Sequence, residues 1–120
     1  MELIVATLYE DYEINQGTDA TITHQFREID GLARDLTGFT PSAKLKINYA
    51  QDTGTSFSAI VASPVTNGTV VLSLTNTQTG ALNPRYRYVY DMELSSLDSD
   101  SNTVIEVPLR GTVKVIPNVT

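Results

Sequence analysis

The chain has 120 residues, of which 41% are hydrophobic, 18% are charged and none is cysteine, and it carries a formal charge of −6. That length suits one domain burying roughly two-thirds of its unfolded surface, and the missing cysteines exclude a disulfide framework or a thiolate metal site. Eight Lys and Arg against fourteen Asp and Glu exclude the clustered positive charge that a phosphate backbone demands, so no nucleic-acid partner is expected.

Leu3-Ile4-Val5-Ala6 is the first apolar run. No basic residue precedes it, and Glu10, Asp11 and Glu13 follow too closely for a signal-peptide core. Nothing approaches the ~20 apolar residues of a membrane span, so no membrane partner is expected. Residues 1–8 read as a first strand or as an arm that pairs with another subunit's exposed edge.

Beyond the turn residues Asn15-Gln16-Gly17, period-two alternation sets in. Ala20, Ile22, His24 and Phe26 share one face, with Thr21, Thr23, Gln25 and Arg27 opposite. Asp30-Gly31 and Thr37-Gly38 with Pro41 mark turns. Ala43, Leu45, Ile47 and Tyr49 then alternate with Lys44, Lys46 and Asn48, until Asp52-Thr53-Gly54 breaks the run. Phe57, Ala59 and Val61 alternate more weakly, and Pro64 to Gly68 is a further turn. Asn67-Gly68-Thr69 matches a glycosylation pattern but reads as part of that turn. Val70, Leu72 and Leu74 alternate clearly.

Thr75 to Leu82 is the one stretch able to hold a helical turn. Thr75 is a plausible N-cap with Gln78 three residues on, and Gly80 and Pro84 keep the helix short. Tyr86, Tyr88, Tyr90, Met92 and Leu94 then face inward, against Arg85, Arg87, Asp91 and Glu93. Asp98 to Asn102 forms a polar loop. The last run, Thr103 to Ile116, contains Pro108 and Gly111, which predict an edge strand or a bulge.

Short strands separated by frequent turns predict an all-β fold, a single antiparallel β-sandwich of about 7–8 strands over residues 1–120. Ile22, Phe26, Leu45, Ile47, Leu72, Leu74, Tyr88, Tyr90 and Val113 are the expected core. Tyr86 or Tyr88 is positioned to act as a tyrosine corner, its hydroxyl bonded back to the preceding loop.

Active-site chemistry finds little support. Asp98, Asp100 and Asn102 begin like a calcium loop, but Thr103 holds the required Gly position and Leu109 the Glu position. A polar hairpin loop is the simpler reading, and neither metal nor cofactor is expected. His24 is the sole histidine and lies on the inner face, where a neutral ring with one hydrogen bond explains it better than a general base. Asp91 and Glu93 share a strand face, yet nothing nearby supplies the desolvation that a carboxylic-acid catalyst needs. The tyrosines are more consistent with core than with a sugar-binding platform.

The order of short blocks carries more information. Ile14-Asn15-Gln16-Gly17-Thr18-Asp19, Asp30-Gly31, Asp35-Leu36-Thr37-Gly38, Ser42 to Ile47, Gly68 to Thr75, Tyr88 to Leu94 and Gly111 to Thr120 follow one another along the chain. From Tyr12 onward this order resembles the immunoglobulin-like structural domains of tailed-bacteriophage virions. The resemblance implies an immunoglobulin-like sandwich in which Thr75 to Leu82 crosses between the fifth and sixth strands. It also implies a non-enzymatic assembly or adaptor protein of the tail, neck or baseplate, or a capsid decoration protein of the same fold. The family shares no catalytic residues to carry over. Expected partners are other virion proteins in a multi-copy symmetric assembly, and the expected location is the phage particle, after synthesis in the host cytoplasm. The chain ends at Thr120 directly after its last strand, so host recognition through an appended domain is not expected. A small carbohydrate-binding sandwich module is the alternative from another functional class. Two contact surfaces follow: the apolar segment with Leu3, Ile4, Val5 and Leu8, and a terminal edge with Pro108, Val113 and Ile116.

Overall fold

The computed structural model describes residues 7–51 and 53–119, so Leu3, Ile4 and Val5 lie outside the described residues. The elements in chain order are β1 (Leu8–Tyr9), β2 (Tyr12–Asn15), β3 (Ala20–Gln25), β4 (Thr40–Lys46), β5 (Thr55–Ser56), β6 (Ser58–Val61), a 3-10 turn (Val65–Asn67), β7 (Thr69–Leu74), α1 (Asn76–Gly80), β8 (Arg87–Leu97) and β9 (Thr103–Ile116).

They form two sheets. One is ordered β1-β9-β8-β4-β5, with β2 also pairing β9, and the other β3-β7-β6. The first strand segments run parallel to β9, and the remaining pairs are antiparallel. This is an immunoglobulin-like β-sandwich. Period-two alternation explains it, because each strand turns one row of side chains toward the opposite sheet. Ile22 from β3, Leu45 from β4, Leu72 and Leu74 from β7, Tyr88, Tyr90, Met92 and Leu94 from β8, and Leu109, Val113 and Val115 from β9 meet there.

The helical turn forms where the capping pattern places it. Thr75 Oγ1 accepts from the Gln78 N–H while Gln78 Oε1 accepts from the Thr75 N–H, a reciprocal capping box. Tyr88 takes the corner role, since the Asn83 N–H donates to its hydroxyl at 2.7 Å. Leu36, delivered by the Asp35-Leu36-Thr37-Gly38 turn, is buried in the core. Asp35 Oδ1 accepts from the Thr37 N–H and shapes that turn.

Four expectations change. The final run is not an edge: β9 is flanked by β8 on one side and by β1 and β2 on the other. The irregularity it was expected to carry does exist. The register shifts between Met92 and Leu94, opposite the Leu109-to-Glu106 stretch that contains Pro108. Gly111 serves a close approach, because a Cβ there would collide with the Glu10 carbonyl where the chain steps from β1 to β2. Residues 55–61 cross between the sheets, pairing first with β4 and then with β7.

The remaining changes lie at strand ends. Ile47 is only partly buried and Tyr49 is exposed, because β4 stops at Lys46. Gln51 Oε1 accepts the Ile47 N–H and Asn48 Oδ1 the Ala50 N–H, which turns the chain out of the sheet. Tyr86 sits in the turn before β8, half-exposed, with its ring against Tyr88 in an edge contact.

Candidate functional site

Side chains considered for chemistry are occupied in building turns and core. Asp98 Oδ1 accepts from the Asp100 N–H at 2.9 Å and the Asn102 N–H at 2.8 Å. The Asp98 N–H donates to the Asn102 carbonyl at 2.9 Å and closes the hairpin. The Asp98, Asp100 and Asn102 set is therefore a turn whose carboxylate caps the backbone. Among the described residues no group of three or more His, Cys, Asp or Glu could hold a metal ion. No helix among them is long and apolar enough to cross a membrane.

His24 lies on the inner side of β3, its ring 4.5 Å from Phe26. Its Nε2 is enclosed and has no hydrogen-bond partner among the described residues. Burial holds its pKa below the usual histidine value, with the nearby Glu10 carboxylate opposing. Asp91 stands in register between Lys44 on β4 and Arg110 on β9, and Glu93 opposite Ser42. These carboxylates border an open groove of about 530 Å³ shared with Lys44, Lys46, Tyr49 and Phe57. Cations and carboxylates interleave there, which describes a solvated strand face.

The aromatic platform does not exist as such. Tyr88 and Tyr90 are core residues, and the Tyr90 hydroxyl donates to the Glu10 carbonyl at 2.7 Å. Burial pushes the Tyr90 hydroxyl far above its usual pKa. Tyr12 and Phe57 pack against its ring at centroid distances of 5.8 and 6.4 Å.

Of the expected contact residues, Leu8 is half-exposed in β1, opposite Leu109. Pro108 and Val113 are fully buried, and Ile116 is partly so. The terminal-edge surface is thus withdrawn, since β9 has partners on both sides and turns Pro108 and Val113 inward. Val113 is core.

A different surface takes its place. The β3–β4 connection, the β6–β7 connection and the β8–β9 hairpin gather at one end of the sandwich. Arg34 Nη2 donates to both carboxylate oxygens of Glu106, tying the first to the third. The Leu36 N–H donates to the Val65 carbonyl at 3.0 Å, tying the first to the second. This braced end presents Ile29, Leu32, Leu97, Val104 and Ile105 to solvent, with Ile29 fully exposed. Glu28-Ile29-Asp30-Gly31-Leu32 held the available signal: an apolar residue inside a turn sequence has no core to enter. Ile105 gives no such signal, because its facing depends on the register shift beside Pro108.

No family model matches the chain, and no curated protein matches it either. Solved structures do share its fold. One is murine CRIg, with a TM-score of 0.50 and 15% identity, covering 89% of this chain and 92% of that one. At that identity the likeness speaks for the fold alone: the chain is an immunoglobulin-like sandwich.

Proposed function

We propose that this chain is a non-enzymatic structural component of a tailed-phage particle, an adaptor of the tail, neck or baseplate that acts through protein contacts. The sequence resemblance motivates the phage setting, and the braced apolar end is the observation that carries the contact role. Large aliphatic side chains lose favourable burial when left in water, and several of them at one braced end are what a contact surface would cover. Here Ile29 and Leu32 stand on the β3–β4 connection and Leu97 and Ile105 at the hairpin ends of β8 and β9, which Arg34 and Glu106 tie together. A capsid decoration role would use the same end and differs only in location on the particle.

The test is particle incorporation. Antibody against the chain should label purified virions at one position, with tail or neck label favouring the adaptor role and capsid label the decoration role. Leu97→Asp with Ile105→Asp should leave the domain folded by circular dichroism but absent from particles. Purified virions that lack the wild-type protein would overturn the reading. Normal incorporation of the doubly substituted chain would remove the apolar end from it.

A further inference from the structure

Among the described residues, four strand edges bound the two sheets, and three are blunted in ways that discourage pairing with another chain. β5 has two residues. β6 has four, and Pro64 follows closely. The β1–β2 edge is interrupted at Glu10 and Asp11 and carries Glu13 as well. β3 is different. Its six residues, Ala20-Thr21-Ile22-Thr23-His24-Gln25, include no proline, glycine, lysine or carboxylate.

The direction of its backbone groups can be read from the ladder. The Phe26 N–H donates to the Gly68 carbonyl at 2.8 Å, so even-numbered positions turn their N–H and C=O toward β7. Thr21, Thr23 and Gln25 therefore direct theirs to the open side. A cleft of about 290 Å³, lined by Tyr12 to Asn15 and Thr18 to Thr23, separates this edge from β2 in the other sheet. The solvent face behind the edge is uncharged across the sheet: Thr21 aligns with Ser73 and Ser58, Thr23 with Val71 and Ile60, and Gln25 with Thr69.

We infer that the β3 edge pairs with the β3 edge of a second copy, antiparallel about a two-fold axis at Thr23, joining the two three-stranded sheets into one. The charge pattern selects this occupant. Two copies carrying −6 each repel one another, but this edge brings no like charges together. With Thr23 on the axis, Thr21 faces Gln25 of the second copy and Ile22 faces His24. Just outside the run, Asp19 faces Arg27 of the second copy, and Arg27 faces its Asp19. Opposite charges thus meet at both ends of an uncharged centre, which is the self-complementarity an isologous contact requires. Asp19 Oδ1 already accepts the Asn76 N–H, and the Arg27 guanidinium donates to Gly31 O and Gln25 Oε1, so both charges are fixed in place. This pairing goes beyond the proposed function and holds in solution whatever particle the chain joins.

Sedimentation of the full chain from micromolar to millimolar concentration should show a monomer–dimer equilibrium. Thr23→Lys and Thr23→Glu alter an exposed side chain, and each should be monomeric with an unchanged melting temperature. Mixed in equal amounts they should dimerise again, because lysine then faces glutamate across the axis. Amide exchange at Thr21, Thr23 and Gln25 of the wild-type chain should slow about tenfold or more on concentration, a readout that needs no variant. Removing residues 1–6 should leave the dimer intact. A wild-type monomer at every concentration, a dimer that persists in Thr23→Lys, or a mixture that stays monomeric would each overturn the inference. So would dimerisation that begins only when residues 1–6 are removed, which would show the chain's own first residues on that edge.

Discussion

Arg34 and Glu106, 72 positions apart, form a two-pronged ion pair at 2.7 and 3.0 Å that spans the β3–β4 connection and the start of β9. The Arg34 guanidinium also stands 5.0 Å over the ring of Phe39. Both partners are mostly shielded, with side-chain exposures of 11% and 18%. An arginine left in that position without its carboxylate would be a shielded, unpaired charge. Glu106→Ala should therefore destabilise the domain by about 2–4 kcal/mol, near the range for breaking a buried pair. Replacing both residues by aliphatic ones should cost about 1–2 kcal/mol less than Glu106→Ala alone. Urea unfolding of the two variants decides it; equal losses would show that the pair itself contributes little.

Gly111 is the next position of consequence. The crossing from β1 to β2 lies against its backbone, held by the Glu10 N–H on the Arg110 carbonyl and by Asp11 Oδ1 accepting from the Thr112 N–H and hydroxyl. Gly111→Ala should force that crossing away and cost about 1–3 kcal/mol through overpacking. Amide exchange should then rise first at Glu10 and Thr112. A stability unchanged within about half a kilocalorie, the usual spread of harmless surface changes, would show that the crossing yields freely.

Tyr88→Phe removes the hydroxyl that the Asn83 N–H reaches while keeping the ring in the core. The expected loss is about 1–2 kcal/mol, the range for leaving a partly enclosed donor without its acceptor. Tyr86→Phe, altered on a half-exposed ring, is the control and should change little. Thermal melts of the two variants should separate them clearly.

His24 gives the domain a distinct acid response. Burial, the main cause, lowers its folded-state pKa below the ordinary 6.5. The unfolded chain then binds a proton more readily than the folded one, so stability rises with pH across that window. The contribution is complete above about 6.5 and is lost as pH falls toward the lower folded value. His24→Phe should flatten the stability profile between neutral and mildly acid pH. The acid losses tied to Asp11 and Asp35 should remain, because hydrogen bonds from Thr112 and Thr37 hold those carboxyls below 3.8 and place their effect at lower pH. A wild-type profile already flat above pH 5 would contradict the assignment.

How much was legible in the chain depends on whether a feature is local. Alternation is a property of neighbouring residues, so the inward rows Ile22, Leu45, Leu72, Leu74, Tyr88 and Tyr90 could be read directly, as could the Thr75–Gln78 capping box. The all-β sandwich follows from those rows, because each strand with one apolar face must find another to cover it.

Partners across the fold were not legible. Pro108 and Gly111 locally weaken a strand, yet β9 became a central strand because β1 and β2 return alongside it in parallel, with Gly111 making room for Glu10. Arg34 and Glu106 carry no sequence mark of their pairing, since a contact over 72 residues depends on where both sheets end. Which apolar residues stay in water was likewise decided in three dimensions. Ile105 and Val113 lie in the same strand, but the shift beside Pro108 sends one to solvent and the other to the core. Local chemistry settles which face of a strand is apolar; only tertiary pairing settles which strand has a free edge, because an edge is defined by the neighbour it lacks.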